Sequence, residues 1–302
     1  MSVGGFSRLF LVIIFLVTIF GCGGAPNGVQ STVHENHLPK TTTVNGQELI
    51  LAAQRGDLAE VERFFTKGVD VNVMAKDGGT ALMAASGNGK REVVELLLAK
   101  GADVNAKTSN DSVTALILAS QQGHPDIVQA LLAKGADVNA NANNGETALM
   151  SASQNGHREV VDLLLAKGAD INSKNNKGVT ALMLASLKGH YDIVHSLLAK
   201  SAHVNVKWGG GITALMIAAQ ADQPDIVQAL LANGAEVNAK ANDGRTALII
   251  ASQYGHKEVV KFLLAKRADV NAHAYNGATA LSLASQNGHQ EVKKLLLRAG
   301  AK

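Results

Sequence analysis

Residues 147–172 read TALMSASQNGHREVVDLLLAKGADIN, and versions of this phrase recur along most of the 302-residue chain. The Thr-Ala-Leu triplet occurs seven times, separated by 34 residues once and by 33 residues otherwise. Its threonines are Thr80, Thr114, Thr147, Thr180, Thr213, Thr246 and Thr279. A period in this range is typical of a stacked solenoid, in which each unit buries its apolar face only against its neighbours.

A single copy predicts the local structure of a unit. Thr147 has the side chain of a helix N-cap, because its hydroxyl can accept from an early helical N–H. Gly156 is expected to end this first helix, since glycine tolerates positive φ. A second helix is predicted over about 158–167 and is stopped by Gly168. The following stretch to Gly178 is rich in Asn, Lys and Gly, which favours a projecting turn.

The residues that carry the period resemble the ankyrin repeat, and the resemblance covers residues 46–302 with a worn first copy around Gln47. The resembling motifs are Thr147-Ala148-Leu149-Met150, Gly156-His157, Val160 to Leu165, and Gly168-Ala169-Asp170-Ile171-Asn172. The resemblance implies an all-α ankyrin-repeat solenoid of helix-turn-helix units with projecting β-hairpin-like turns. It also implies a function in recognition.

One departure from the family pattern runs through the chain. The family's Thr-Pro-Leu-His opening reads Thr-Ala-Leu-Met or Thr-Ala-Leu-Ile in most copies, so the family's buried histidine network is replaced by apolar side chains. These are Met83, Ile117, Met150, Met183, Met216 and Ile249. Apolar packing is therefore expected where the family has polar bonds. A second set of histidines follows the glycine and is predicted to cap the second helix: His124, His157, His190, His256 and His289.

Eight units are predicted, and both ends of the array are visible. Their approximate bounds are 46–78, 79–112, 113–145, 146–178, 179–211, 212–244, 245–277 and 278–302.

Two stripes of Val or Ile run along the second helices. The first stripe is broken only by Glu60, in unit one, and the second only by Lys293, in unit eight. Polar breaks are what terminal units need where no neighbour covers them. We therefore expect the first stripe to face backward and the second forward.

Residues 1–21 have the pattern of a signal peptide. Arg8 precedes a run of twelve apolar or small residues at 9–20, whereas about 20 are needed to span a bilayer. The segment Ile19-Phe20-Gly21-Cys22 resembles the processing motif of bacterial lipoproteins, which implies a lipid on Cys22. An ordinary signal peptide cut near Gly24 and an uncleaved anchor are the alternatives. Residues 22–45 are predicted to form a flexible tether.

Composition argues against several classes of function. The formal net charge is +3 and aromatic residues make up 4% of the chain, so neither a basic nucleic-acid surface nor a base-stacking platform is expected. Cys22 is the single cysteine, which rules out an intramolecular disulfide. His34 and His37 lack further ligands for a metal site. No catalytic or cofactor motif stands apart from the repeat, so the prediction is a protein without enzymatic activity, cofactor or metal.

Function is expected where the copies differ. In the family, contacts come from the projecting turns and the ends of the first helices. On this surface, large or charged residues replace the usual small or polar ones in units five to eight. They are Leu187, Lys188, Trp208, Ile212, Tyr254 and Tyr275. Trp and Tyr are the residue types most enriched at binding hot spots. Trp208 is therefore the predicted anchor on the concave side of these units.

These patterns predict a monomeric, non-catalytic protein–protein interaction scaffold. The lipoprotein resemblance, with Gly23 rather than Asp after the cysteine, points to the outer membrane facing the periplasm. The alternative is a secreted effector, or an inhibitor or immunity protein, that binds a target away from the membrane. Fold-level analogy names no partner.

Overall fold

A computed structural model describes the backbone of residues 40–302 and the side chains of residues 45–302. The predicted signal peptide, Cys22 and most of the predicted tether lie outside these described residues.

Residues 40–302 form sixteen α-helices in eight helix-turn-helix pairs, which confirms the predicted all-α solenoid. The first helices are α1 (Lys40–Arg55), α3 (Ala81–Gly87), α5 (Ala115–Gln122), α7 (Ala148–Asn155), α9 (Ala181–Lys188), α11 (Ala214–Gln220), α13 (Ala247–Tyr254) and α15 (Ala280–Gln286). The second helices are α2 (Leu58–Thr66), α4 (Arg91–Ala99), α6 (Pro125–Ala133), α8 (Arg158–Ala166), α10 (Tyr191–Ala199), α12 (Pro224–Ala232), α14 (Lys257–Ala265) and α16 (Gln290–Arg298). Each first helix contacts the first helices of the adjacent units, and the second helices do the same.

The ends of the helices follow the predicted signals. The Thr147 hydroxyl accepts from the Met150 amide at 3.3 Å, and Gly156 ends α7 with φ of 83°. The same cap stands at each Thr-Ala-Leu triplet. Pro125 and Pro224 begin α6 and α12, where a missing N–H leaves no helical bond unmade.

The interior of the stack is apolar where the sequence predicts it. All six Met and Ile side chains that replace the family's histidine are no more than 4% exposed. The two Val and Ile stripes are equally buried, as Val160 and Val161 show in unit four. Glu60 and Lys293, which interrupt the stripes at the two ends, are partly exposed. This exposure fits the expected backward and forward directions of the stripes.

The first helix begins earlier than expected. α1 starts at Lys40, so residues 40–45 are helical and do not belong to a flexible tether. Gly46 is buried on this helix, and a Cβ at that position would collide with the side chain of Val73 in the following loop. The helix therefore packs closely against its own unit at Gly46, the first residue of the predicted unit one.

Hydrogen bonds join each unit to the next. The Asn139 side chain accepts from the Asp170 amide at 2.8 Å and donates to the Gly168 carbonyl at 3.4 Å. Equivalent bonds start from Asn72, Asn105, Asn205 and Asn271.

The predicted capping role of the repeated histidines is wrong. They stand at the N-cap position, but their side chains make no cap hydrogen bond. Instead His190 Nε2 lies 3.0 Å from the Gln154 carbonyl, at the end of the preceding unit's first helix. His157, His256 and His289 make the same bond. These four histidines therefore connect each unit to the one before it through a backbone carbonyl.

Candidate turn-face binding site

Seven turns project between successive units, at 74–79, 107–113, 141–146, 174–179, 207–212, 240–245 and 273–278. In most of them an amide donates to the carbonyl of the preceding turn, as Asn176 does to Asn144 at 2.9 Å and Tyr275 to Asp243 at 2.9 Å. Four isolated antiparallel bridges give the turns their hairpin character. We call these turns, with the last two positions of each first helix, the turn face.

The Trp208 side chain is not exposed to solvent on this face, so it does not offer the exposed indole that was expected of an anchor. Its side chain is only 8% exposed. It occupies the register that holds buried Ala142, Ala241 and Ala274 in other turns. The indole lies against the preceding turn, where a Cβ on Gly178 would sit 3.9 Å from Trp208 Cδ1. The small residues at this register were the sequence signal that a side chain here points inward.

The indole also changes how its turn meets its neighbour. Trp208 and Ile212 exchange two backbone hydrogen bonds of 2.8 Å, which close the turn. Within the described residues, the turn-to-turn bond that would link Gly209 to Lys177 is not formed. The turn at 207–212 therefore depends on indole packing where the others use a backbone bond.

Leu187, Lys188 and Ile212 lie on the turn face as predicted from their register. Lys188 is exposed at the end of α9, whereas Leu187 and Ile212 are half-buried. Leu187 and Ile212 therefore leave some apolar surface exposed on the turn face, which also carries the positive charge of Lys188.

Tyr254 ends α13 and is half-buried. Its ring stacks on His256 with centroids 5.8 Å apart and planes 22° apart. Burial raises the pKa of the Tyr254 hydroxyl, and the positive charge of Arg245 opposes that shift. Arg245, the last residue of the turn at 240–245, is therefore close enough to act on Tyr254 electrostatically. Arg245 is itself paired with Asp243 at 2.7 Å.

Tyr275 is the exposed aromatic residue of the predicted set, with 76% of its surface in solvent. It stands one residue further along its turn than Trp208 does, and this single step turns the ring outward. The ring lies over the preceding turn, since a Cβ on Gly244 would come within 2.9 Å of Tyr275 Cδ1. Tyr275 therefore packs against the turn at 240–245 while most of its ring remains exposed.

The charge of the turn face is uneven, a feature that the average composition hides. The first three turns carry two cations, Lys76 and Lys107, against three anions. The last four carry five cations and a single anion, Asp243. These cations are Lys174, Lys177, Lys207, Lys240 and Arg245. The sequence alone shows this imbalance of charge, but only when the charges of the turns are counted separately from those of the helices.

Other groups that could carry chemistry are sparse in the described part of the chain. Residues 40–302 contain no cluster of three or more His, Cys, Asp or Glu side chains placed to hold a metal ion. None of the helices described there is long and apolar enough to cross a bilayer.

Comparison with known proteins identifies the repeat. The family model for "Ankyrin repeats (3 copies)" matches residues 49–142, 134–208 and 210–302. The crystal structure of the human ASB11 ankyrin repeat domain superposes with a TM-score of 0.67 at 28% identity. That alignment covers 74% of this chain and 99% of the other.

Similarity to two curated proteins is confined to short segments. The mitochondrial disaggregase of Homo sapiens is 43% identical over 65 residues, which is 22% of this chain and 9% of that protein. A Caenorhabditis elegans protein, ankyrin repeat and KH domain-containing protein mask-1, is 46% identical over 63 residues, or 21% of this chain and 2% of its own length. The chain therefore matches only small parts of these relatives.

Proposed function

Because the chain belongs to the ankyrin-repeat family, we propose that it is a non-catalytic interaction scaffold whose protein partner binds the turn face of units five to eight. The supporting observation is the exposed ring of Tyr275, which lies over the turn that carries Arg245. Tyr and Arg are enriched at the energetic centres of protein interfaces. A ring that is 76% exposed on a projecting turn is costly to leave in water unless a partner covers it.

The proposal departs from the sequence prediction in its anchor. Tyr275 takes the central place, with Tyr254, Leu187, Lys188 and Ile212 as neighbouring contacts. Trp208 lies beneath this surface and shapes the turn at 207–212. Its contribution to binding is therefore expected to be indirect.

Site-specific photo-cross-linking tests the surface. A photoreactive phenylalanine derivative replaces Tyr275 in one protein and Tyr191 in the control. Tyr191 is also exposed, at 44%, but it begins the second helix of unit five. We expect a cross-linked protein partner from position 275 and not from position 191. Equal cross-linking at both positions, or cross-linking from 191 alone, would contradict a turn-face interface.

The anchor is a separate part of the proposal. A lipid on Cys22 would hold the scaffold at the periplasmic side of a bacterial outer membrane, and the short apolar run before Cys22 supports this assignment. Cys22→Ser is expected to abolish incorporation of labelled lipid and to release the protein from the membrane fraction or block its processing. Mature protein in the medium, without lipid label on the wild-type chain, would favour the secreted effector or inhibitor instead.

A further inference from the structure

We propose that the partner presents an extended acidic segment to the turn face of units four to seven. This inference rests on the proposed function and specifies the chemistry of the partner at the same surface. Its basis is a ladder of exposed lysines in consecutive turns.

Three lysines occupy the same register of consecutive turns. Lys174, Lys207 and Lys240 each stand six residues before the threonine that caps the next first helix, and all three are exposed. Lys177 and Lys188 add two more exposed cations to units four and five. None of these five lysines forms an ion pair with another described residue. Their charges are therefore available to a partner.

Acidic side chains are missing from the middle of the same region. The position that holds Asp70, Asp103, Asp137, Asp170, Glu236 and Asp269 in other units is His203 in unit five. Consequently residues 201–212 contain no carboxylate, and Asp243 in the next turn is already paired with Arg245. The positive potential is thus concentrated around the turn at 207–212.

The spacing of the ladder suits a polypeptide. Neighbouring units stack at about helix-packing distance, roughly 8–10 Å. An extended chain advances about 3.3 Å per residue, so acidic side chains about three residues apart reach successive lysines. Leu187 and Ile212 offer apolar surface beside the lysines, and Tyr275 stands at the end of the ladder. This mixture favours an acidic peptide over a nucleic acid strand, which would gain little from the aliphatic groups.

The probe for the test is a short fluorescent peptide of Glu-Gly-Phe repeats, titrated with the full-length chain. Matched probes carry Gln or Lys in place of Glu, and a single-stranded oligothymidine represents nucleic acid. We expect the Glu peptide to bind most tightly and to weaken as salt is added, because exposed charges are screened. Equal binding of the Gln peptide, or tighter binding of the oligothymidine, would overturn the inference.

Charge reversal locates the site. The double variant Lys207→Glu and Lys240→Glu is expected to weaken binding of the Glu peptide by about tenfold or more at low salt. The control, Lys134→Glu and Lys167→Glu, makes the same change of net charge at exposed ends of second helices, away from the turns. It should alter binding by less than about twofold. Equal weakening in the two proteins would overturn the inference.

Two further controls separate the possible failures. A thermal melt accompanies each protein, and Lys207→Gln with Lys240→Gln replaces the charge reversal if that variant melts early. The affinity of the cross-linked partner is then measured for the lysine variants and for a Tyr275→Ala variant. If it requires Tyr275 but ignores the lysines and the salt, the acidic segment is wrong and the interaction scaffold stands. If it requires neither, the turn-face interface itself is wrong.

Discussion

The interior of the stack and the turn face obey opposite rules. In the interior each copy repeats its neighbour, so that Val161, Val194 and Val227 are all fully buried at one register. On the turn face the copies diverge, from the small Gly209 to the exposed ring of Tyr275. The comparison shows that the same residue type recurs at positions buried between units, because every unit must fit the next. Divergence is tolerated where no neighbour constrains the side chain, and Trp208 is the instructive exception because it diverges and is nevertheless buried.

The largest expected effect is in the interior. Val161→Lys places an unpaired charge at a fully buried position between units, and should lower the free energy of unfolding by about 3–5 kcal/mol. Lys293→Val makes the reverse change on the partly exposed end of the same stripe. It should preserve the melting temperature and favour self-association through new exposed apolar surface. Thermal melts and analytical ultracentrifugation measure both effects. Similar melts for the two variants would refute the distinction between the middle and the end of the stack.

The second effect separates two aromatic residues of the turns. Trp208→Ala should cost about 2–3 kcal/mol of stability, since it removes a packed indole and leaves a gap against Gly178. Tyr275→Ala should stay within about 0.5 kcal/mol, because its ring is mostly in solvent. Urea unfolding of both variants provides the comparison. A stable Trp208→Ala protein would show that the indole adds little to the stack.

The third effect concerns the bonds between units. Asn139→Ala removes a side chain that bonds to two backbone groups of the next unit, and should cost about 1–2 kcal/mol. The control is Asn141→Ala, two residues away on an exposed turn. Its effect should be within about 0.5 kcal/mol. Denaturant midpoints that shift equally for the two variants would argue against the asparagine bonds as a source of stability.

The smallest effect concerns buried serines. The hydroxyls of Ser86, Ser120, Ser153 and Ser252 have no hydrogen-bond partner in the described residues, whereas Ser186 donates to the Leu182 carbonyl at 2.7 Å. Ala219 holds the same register in unit six. Ser153→Ala should therefore be neutral or stabilising by up to about 1 kcal/mol, and Ser186→Ala should be destabilising by about 0.5–1 kcal/mol. Calorimetry of the two variants measures the difference in stability. A clear loss of stability in Ser153→Ala would show that the Ser153 hydroxyl does have a hydrogen-bond partner.

The sequence predicts the fold because each local signal is repeated. The threonine caps, the glycine that ends α7 and the buried Met and Ile ladder are all found where the pattern places them. Each depends on contacts within a unit or with an identical neighbour, so a single copy carries the information.

The site is less predictable because it depends on single residues. Trp208 and Tyr275 differ by one position in the turn, and that position decides whether the ring is buried or exposed. The histidine bonds to the preceding unit also escape prediction, since they span 36 residues of sequence. The early start of α1 is missed because Thr41, Thr42 and Thr43 are poor helix formers, so this stretch of the sequence resembles a linker.

The most direct test of the account is the affinity of the cross-linked partner for two tyrosine variants of the full-length chain. Tyr275→Ala should raise the Kd by at least about tenfold, equal to about 1.4 kcal/mol, without changing the melting temperature. Tyr191→Ala, on the second helix of unit five, should leave the Kd unchanged. Equal Kd values for Tyr275→Ala and the wild-type chain, or a greater loss from Tyr191→Ala, would contradict the claim that the turn face binds the partner.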